Sequence, residues 1–570
     1  MKKVLLIIIV ILYSCNQKKS DSQLEKIIYQ FENYKADSKE DFPLGNYSEE
    51  SIKKYAFFCE ELLIDLKKVN SNNLSDDHKI SYELLEFILK FKKLDYDYKK
   101  HWNPILSDSG FHSSLTYRVR PITTKKSALK YLKILKAIPK YIEQQKILIK
   151  KGLDAGMGQP LIIFKGYEST YNKHITENAE QNFYFSPFLN LPKSLGEETI
   201  DSLKKAGKKV VENLIIPTFK DVKLFFEKEY FIKTRKDIGV SKTPNGIKYY
   251  KNRIDYYTTL DYTPKEIHDL GLNEVTRIKK QMLDIIDKVN YKKGFDSFIN
   301  FLRTDPKFYS KSAEDLLINA RNISKKLDEQ LPRYFKTLPR KPYGVAPVPE
   351  SIAPKYTAGR YVGTSKNSSE PGYYWVNTYN LKSRPLYSLP ALTAHEAVPG
   401  HHLQGSLNNE LSSSIPKFRR NLYLSAFGEG WGLYSELLAE EMGIYETPYE
   451  HFGKLTYEMW RACRLVVDTG IHAFGWSREQ AVNFMKSNTA LSIHEINTEI
   501  DRYISWPGQA LAYKIGELKI RSLRTKVEQN LGRNFDIREF HELILEKGTV
   551  TLAILERRVN NYLNKNKNHE

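Results

Sequence analysis

Cysteine is scarce, with three in 570 residues. So few cannot make a disulfide framework, and the fold must be held by burial instead. Long apolar runs are scarcer still. The longest, Val4 to Leu12, is too short for a permanent membrane-spanning helix. No repeat of fixed period is visible, and low complexity is confined to the Lys/Asn tail after Asn560. Ordinary glycine and proline contents (29 and 24) exclude collagen-like and linker-rich designs. There is no GxSxG elbow, Walker loop or Rossmann fingerprint, and neither Cys59 nor Cys463 sits in a nucleophile motif. Arginine-rich tails and nucleic-acid motifs are absent as well. The formal charge of +20 comes mostly from lysines spread along the whole chain. That distribution reads as a solvated basic surface with no nucleic-acid partner.

What is present suffices for a large core, since 41% of the residues are hydrophobic and 27% charged. Met1-Lys2-Lys3 is a short positive segment ahead of the Val4–Leu12 run, which fits a secretory signal peptide. Leu12-Tyr13-Ser14-Cys15 resembles a bacterial lipobox, so Cys15 is the expected lipidated first residue after cleavage. The chain then divides into a signal peptide (1–14), a polar tether (15–24), an N-terminal helical region (25–240) and a C-terminal helical region (241–570). The expected product is a soluble body on a lipid anchor at the bacterial cell envelope, facing the periplasm or the surface. The membrane is engaged through that anchor alone.

Nearly every later segment reads as amphipathic helix. Ser51 to Val69, Ile80 to Lys99, Ala128 to Gly152 and Asp201 to Phe231 carry apolar residues at three- and four-residue spacing. Thr263-Pro264-Lys265-Glu266 combines an N-cap, a first-turn proline and a capping-box glutamate. The predicted stripe behind it is Ile267, Leu270, Ile278, Met282 and Ile285. One stretch differs. Gly359 to Leu381 holds two β-rich runs, Arg360–Val362 and Tyr373–Tyr379, about a Ser/Asn/Pro/Gly turn, which predicts an antiparallel hairpin. The fold class is therefore mostly α, a large helical body with a small hairpin.

Directly after the hairpin comes His395-Glu396-Ala397-Val398-Pro399-Gly400-His401-His402, and then Phe427-Gly428-Glu429-Gly430-Trp431-Gly432-Leu433-Tyr434-Ser435-Glu436. A hydrolytic zinc site needs three imidazole or carboxylate ligands and an open position. A glutamate beside the first histidine can accept a proton from the attacking water, which makes Glu396 the expected general base. The usual HExxH spacing puts both histidines on one helical face. Here position i+4 is Pro399. On an unbroken helix His402 would lie about 10 Å further along the axis than His395. Pro399 cannot continue the ladder, and Gly400 can take a positive φ. The expectation is a Pro-Gly bulge that returns His401 to the side of His395, with His402 as the alternative ligand. Further along, Asp468 and His472 form an i,i+4 pair that could orient substrate or a ligand, or make an ordinary helix ion pair.

HEAVPGHH, GEGWGLYSE and Asp501-Arg502-Tyr503-Ile504-Ser505-Trp506-Pro507-Gly508-Gln509-Ala510 together resemble the bacterial family called domain of unknown function 885, over nearly the whole mature chain. That family is similar to helical zinc peptidases of the Taq carboxypeptidase, thimet oligopeptidase and angiotensin-converting enzyme types. The resemblance implies a metallopeptidase-like body, zinc, and a peptide substrate. It implies Glu429 as third ligand, Glu436 seven residues on as a group supporting the site, and Tyr513 as the oxyanion donor. It also implies that the strand Tyr373–Tyr379 pairs with the substrate backbone. Arg502 could pair with a peptide carboxylate, with Arg461 and Arg464 as competitors. The expected function is hydrolysis of peptides by a lipid-anchored zinc enzyme of carboxypeptidase or oligopeptidase type. A non-catalytic binding lipoprotein and a hydrolase of non-peptide amides or esters are the alternatives.

Overall fold

The computed structural model describes the backbone of residues 2–567 except positions 36, 351 and 367, and the side chains of these from 16 onward except 355 and 567. The described chain is mostly α. It forms two compact units. One comprises residues 1–78, 85–249 and 504–506, the other 79–84, 250–503 and 507–570. The main division therefore falls between Tyr249 and Tyr250, against an expected boundary near 241.

In the first unit, α1 (Glu49–Leu66) starts at Ser48, whose side chain accepts the Ser51 N–H, and buries Ala56, Cys59, Leu62 and Leu66. This is the three- and four-residue spacing of a one-sided helix. α2 (Lys125–Asp154) opens with a Thr124–Ser127 capping box and carries an apolar stripe from Ala128 to Leu153. α3 (Glu197–Val210) continues through a π turn, Val211–Ile215, into Ile216–Phe225 and a second π turn, Phe226–Tyr230. The stretch expected as a tether, residues 15–24, belongs instead to the helix Lys2–Glu32, with Ser20 and Leu24 buried. Leu24, Ile27 and Ile28 are its apolar side, and a helix that buries one face docks rather than trails.

The second unit begins with α4 (Pro264–Lys288). Its Thr263–Glu266 capping box is formed in both directions. The buried stripe holds Ile267, Ile278 and Met282 as expected, but Gly271, Val275 and Ile286 replace Leu270 and Ile285. The shift follows from a close approach. A Cβ on Gly271 would lie 2.8 Å from Leu465 and Val466 of α8 (Pro448–His472).

Three strands form one sheet: β1 (Tyr343–Pro347), β2 (Gly359–Val362) and β3 (Gly372–Val376), in the order β1-β3-β2. β2 and β3 are the expected antiparallel hairpin, with Tyr361 opposite Tyr374. β1 pairs parallel with β3. It was not anticipated, because Gly344 and the prolines at 342, 347 and 349 mask a five-residue strand. Tyr373–Tyr379 is therefore not an edge. β3 is the central strand, it ends at Val376, and β2 is the edge beside the functional motif.

Candidate metal centre

The HEAVPGHH motif is a helix break. α5 (Leu389–Glu396) stops at the glutamate and α6 (His401–Asn409) starts at the histidine pair. The turn closes with Gly400 N–H donating to the Ala394 carbonyl (3.0 Å) and His402 N–H to the Ala397 carbonyl (3.0 Å). Gly400 has φ −77° and ψ −129°, not the positive φ expected of it. Its contribution is the missing Cβ, which would sit 1.9 Å from the His395 carbonyl oxygen. The Trp431 indole N–H donates to the Pro399 carbonyl at 2.8 Å and pins the turn. The His395 and His401 rings then meet edge-on, 4.7 Å apart.

The glycine-rich motif supplies the opposite wall on α7 (Ser425–Glu441). The Glu429 Oε2 lies 3.5 Å from His395 Nε2 and 3.3 Å from His401 Nε2. One ligand atom from each of the three residues falls within 4.8 Å of the others. Donors about 2.0–2.1 Å from a tetrahedral zinc lie about 3.3–3.5 Å apart, so both His–Glu separations match the edges of such a site. The flanking glycines are spaces. A Cβ at Gly432 would lie 2.7 Å from the His395 ring, and one at Gly428 2.5 Å from the Tyr423 ring.

The hydrogen bonds around the cluster orient it. His395 Nδ1 meets Glu436 Oε1 at 2.8 Å, which turns Nε2 toward Glu429. The Arg461 guanidinium stands 3.4 Å from the same Glu436 oxygen. Burial opposes charge on His395, but Glu429 and Glu436 outweigh it and bring the imidazole up to about 9. Burial also opposes the Glu429 carboxylate, yet the two imidazoles hold it well below the ordinary range. Both Glu429 and His401 keep some side-chain exposure, 16% and 17%, so the cluster faces accessible space. Glu396 is buried, and its Oε2 accepts the Tyr361 N–H of edge strand β2 at 2.7 Å.

His402 is turned elsewhere. Its Nδ1 lies 3.1 Å from the Tyr361 hydroxyl and 3.3 Å from Ser406 Oγ, and its ring 4.7 Å from that of Tyr343. Burial pushes it down to about 4, so it is a neutral core histidine.

A family model for bacterial proteins of unknown function, DUF885, matches residues 34–559. The chain belongs to the DUF885 family. Two solved structures share the fold. A proposed lipoprotein from Colwellia psychrerythraea is 28% identical, with a TM-score of 0.86 over 96% of this chain and 100% of that one. A proposed lipoprotein of unknown function from Shewanella oneidensis is 18% identical, with a TM-score of 0.67 over 96% and 99% of the two chains. No curated protein matches the sequence.

The remaining sequence candidates part ways. Tyr513 stands at the start of α10 (Ala512–Leu531), its ring 4.3 Å from the Arg464 guanidinium. Arg464 is itself bonded to the Tyr503 hydroxyl (2.8 Å) and Glu499 (2.9 Å). Arg502, on α9 (Ile493–Ser505), is half-buried with Gln509 Oε1 3.4 Å away. His472 is wholly buried, with Nε2 2.9 Å from the Tyr503 carbonyl. An enclosed imidazole bound to a main-chain carbonyl is a core group and not a substrate contact. Asp468, its supposed partner, accepts instead from the Tyr250 hydroxyl (2.6 Å) and the Gly508 N–H (3.1 Å). Cys15 lies outside the residues whose side chains are described.

Tyr423, which no motif marks, also reaches the cluster. Its hydroxyl donates to Glu429 Oε1 at 2.9 Å. Burial, and the negative charge of Glu429 beside it, hold that hydroxyl protonated, well above the ordinary phenol range. The available signal was the bare helix surface at Gly428, which has to receive a large neighbour.

Proposed function

We propose that this protein is a zinc-dependent hydrolase of peptides, held at the cell envelope by a lipidated Cys15. The observation that carries the reading is the donor set: two imidazole nitrogens, each at a tetrahedral edge's distance from one carboxylate oxygen, and all three within 4.8 Å of one another. His395, His401 and Glu429 would hold the zinc, with Glu436 fixing the His395 tautomer. When bound, zinc would polarise the scissile carbonyl and make water a stronger acid. Glu396, one residue beyond His395, takes the proton of the attacking water and returns it to the leaving amine. Tyr513 or Tyr423 donates a hydrogen bond to the developing oxyanion. β2 is an outer strand of the sheet at this point, where an extended peptide could pair beside the Tyr361 N–H that Glu396 already occupies. The lipobox at Leu12–Cys15 supports the envelope location, as do the two structural relatives described as proposed lipoproteins.

The test is metal analysis of the purified protein together with cleavage of a mixed peptide library. The expected result is one zinc per chain and hydrolysis that Glu396→Gln reduces by about 10²–10⁴ while zinc content is unchanged. A zinc-loaded wild type that cleaves nothing would favour a binding protein. Undiminished hydrolysis by the Glu396→Gln variant would rule out the mechanism.

A further inference from the structure

The second unit holds a partly enclosed side cavity against the front half of α5. Leu389 and Leu392 of that helix and Val376 of β3 form its apolar wall, and Arg384, Tyr457 and Glu495 its polar one. Leu392 precedes His395 by about one turn of the same helix, so one element carries both a wall of the cavity and a donor of the cluster. Its free volume of about 50 Å³ is three to five times the roughly 10–15 Å³ that one water needs. That is room for the end of a side chain and not for a whole ligand.

The wall carries one guanidinium and one carboxylate, and neither is at ion-pair distance from the other. Arg384 is half-buried, with Nε donating to the Asn377 carbonyl (3.2 Å) and Nη1 to the Ser383 carbonyl (3.0 Å). Among the described residues it has no carboxylate at ion-pair distance. Glu495 is engaged otherwise: its Oε2 accepts from Ser492 N–H (3.2 Å) and Oγ–H (3.0 Å) at the start of α9. A second guanidinium, Arg303, backs the segment that closes the cavity and donates to the carbonyls of Thr489, Ala490 and Leu491. Arg303 thus serves the main chain behind the cavity, and within the wall Arg384 shares the space with a carboxylate that is already engaged. Burial lowers the basicity of both arginines below the ordinary guanidinium range. A partly desolvated guanidinium with an unused donor is a strong and geometrically selective partner for a carboxylate. The three arginines that the sequence offers for this role are all held elsewhere, Arg461 at Glu436, Arg464 at Glu499 and Arg502 beside Gln509.

The geometry points to a carboxylate subsite: the cavity takes an aspartyl- or glutamyl-sized acidic side chain, received by Arg384, from a peptide whose backbone lies at the donor cluster. The subsite rests on the peptidase reading for what delivers that side chain, and on the cavity alone for its chemistry.

The experiment titrates the full mature protein with two probes, N-acetyl-glutamic acid α-amide and its neutral counterpart N-acetyl-glutamine α-amide, by ligand-observed NMR. The acidic probe should bind at least about tenfold more tightly, the scale of a charge-assisted hydrogen bond. Arg384→Met should erase the difference and Arg384→Lys keep part of it. Because Arg384 also ties two carbonyls, a second variant guards against misfolding. Glu495→Gln retains the acceptor at Ser492 and removes the competing charge, so it should tighten the acidic probe and leave the neutral one unmoved. Equal binding of the probes, no binding by wild type, or a folded Arg384→Met variant that keeps the preference would each overturn the subsite. The peptidase reading fails separately. Acid-selective binding without cleavage of any library peptide would sink hydrolysis and leave the subsite. Cleavage with no preference for acidic residues and equal probe binding would do the reverse.

Discussion

At the residue scale, the site depends on side chains that are missing as much as on those present. Gly432 gives the His395 ring its place, and the Cβ of an alanine there would stand 2.7 Å from the imidazole. Gly432→Ala should therefore weaken zinc binding by about 10–100-fold, the range for losing ligand orientation, with the fold intact. Competition with a chelator measures it. The histidine pair makes the sharper case. His401→Ala should lose stoichiometric zinc and His402→Ala should keep it, because only His401 reaches Glu429. The opposite outcome would mean that α6 is rotated in solution. Asp468 carries a pH signature. Burial pushes its carboxyl up to about 7, against hydrogen bonds from Tyr250 and Gly508. A folded-state pKa above the unfolded value of about 4 means that its contribution is complete below pH 4 and lost as pH rises toward 7. Asp468→Asn keeps an acceptor for Tyr250 and cannot ionise. Denaturation curves from pH 4 to 7 should show wild type losing stability relative to this variant, and parallel curves would refute the assignment.

At the element scale, the helix carrying Tyr513 is anchored by a buried charge cluster. Lys514 is fully buried and meets Glu458 of α8 (2.8 Å), Glu274 of α4 (3.0 Å) and Glu517 of its own helix (2.9 Å). Arg277 also pairs with Glu458 and Glu274. One ammonium thus joins three helices one residue away from a candidate catalytic phenol. Lys514→Ala would strand several carboxylates away from water and should destabilise the protein by about 3–5 kcal/mol in urea unfolding. A change under about 1 kcal/mol would mean that water enters the cluster. The small sheet works at the same scale. β2 gives the Tyr361 N–H to Glu396, so the outer strand of the sheet holds the expected base in place.

At the scale of the whole molecule, the proposed attachment and the proposed chemistry fall on different parts of the chain. Among the described residues no helix is long and apolar enough to cross a membrane. Any attachment through Cys15 would come from its acyl chains, at about 0.8 kcal/mol for each buried CH₂. Cys15→Ser should move the protein from the membrane fraction to the soluble fraction, with zinc content and hydrolysis unchanged. An unmodified N-terminus in mass spectrometry of the wild type would end this reading.

Local rules were enough for much of this molecule. Helical periodicity, the Thr263 capping box and the β2–β3 hairpin depend on neighbours a few residues apart, so they are legible along the chain. Proline at 399 likewise announces that the HEAVPGHH helix must break. The chain alone left open which histidine the break would turn inward. That was decided by Trp431 holding the Pro399 carbonyl from another helix. Tyr423 at Glu429, His472 buried at the Tyr503 carbonyl and the parallel strand β1 were equally out of reach. The last two rest on contacts between segments distant in sequence, and spacing along a chain carries no distance across a core. The first spans only six residues but depends on the turn ahead of α7, which has no helical period to read. Arg384 states the difference most plainly. In the sequence it is one basic residue among 88, and only the packed cavity sets it against two carbonyls with no carboxylate at ion-pair distance among the described residues.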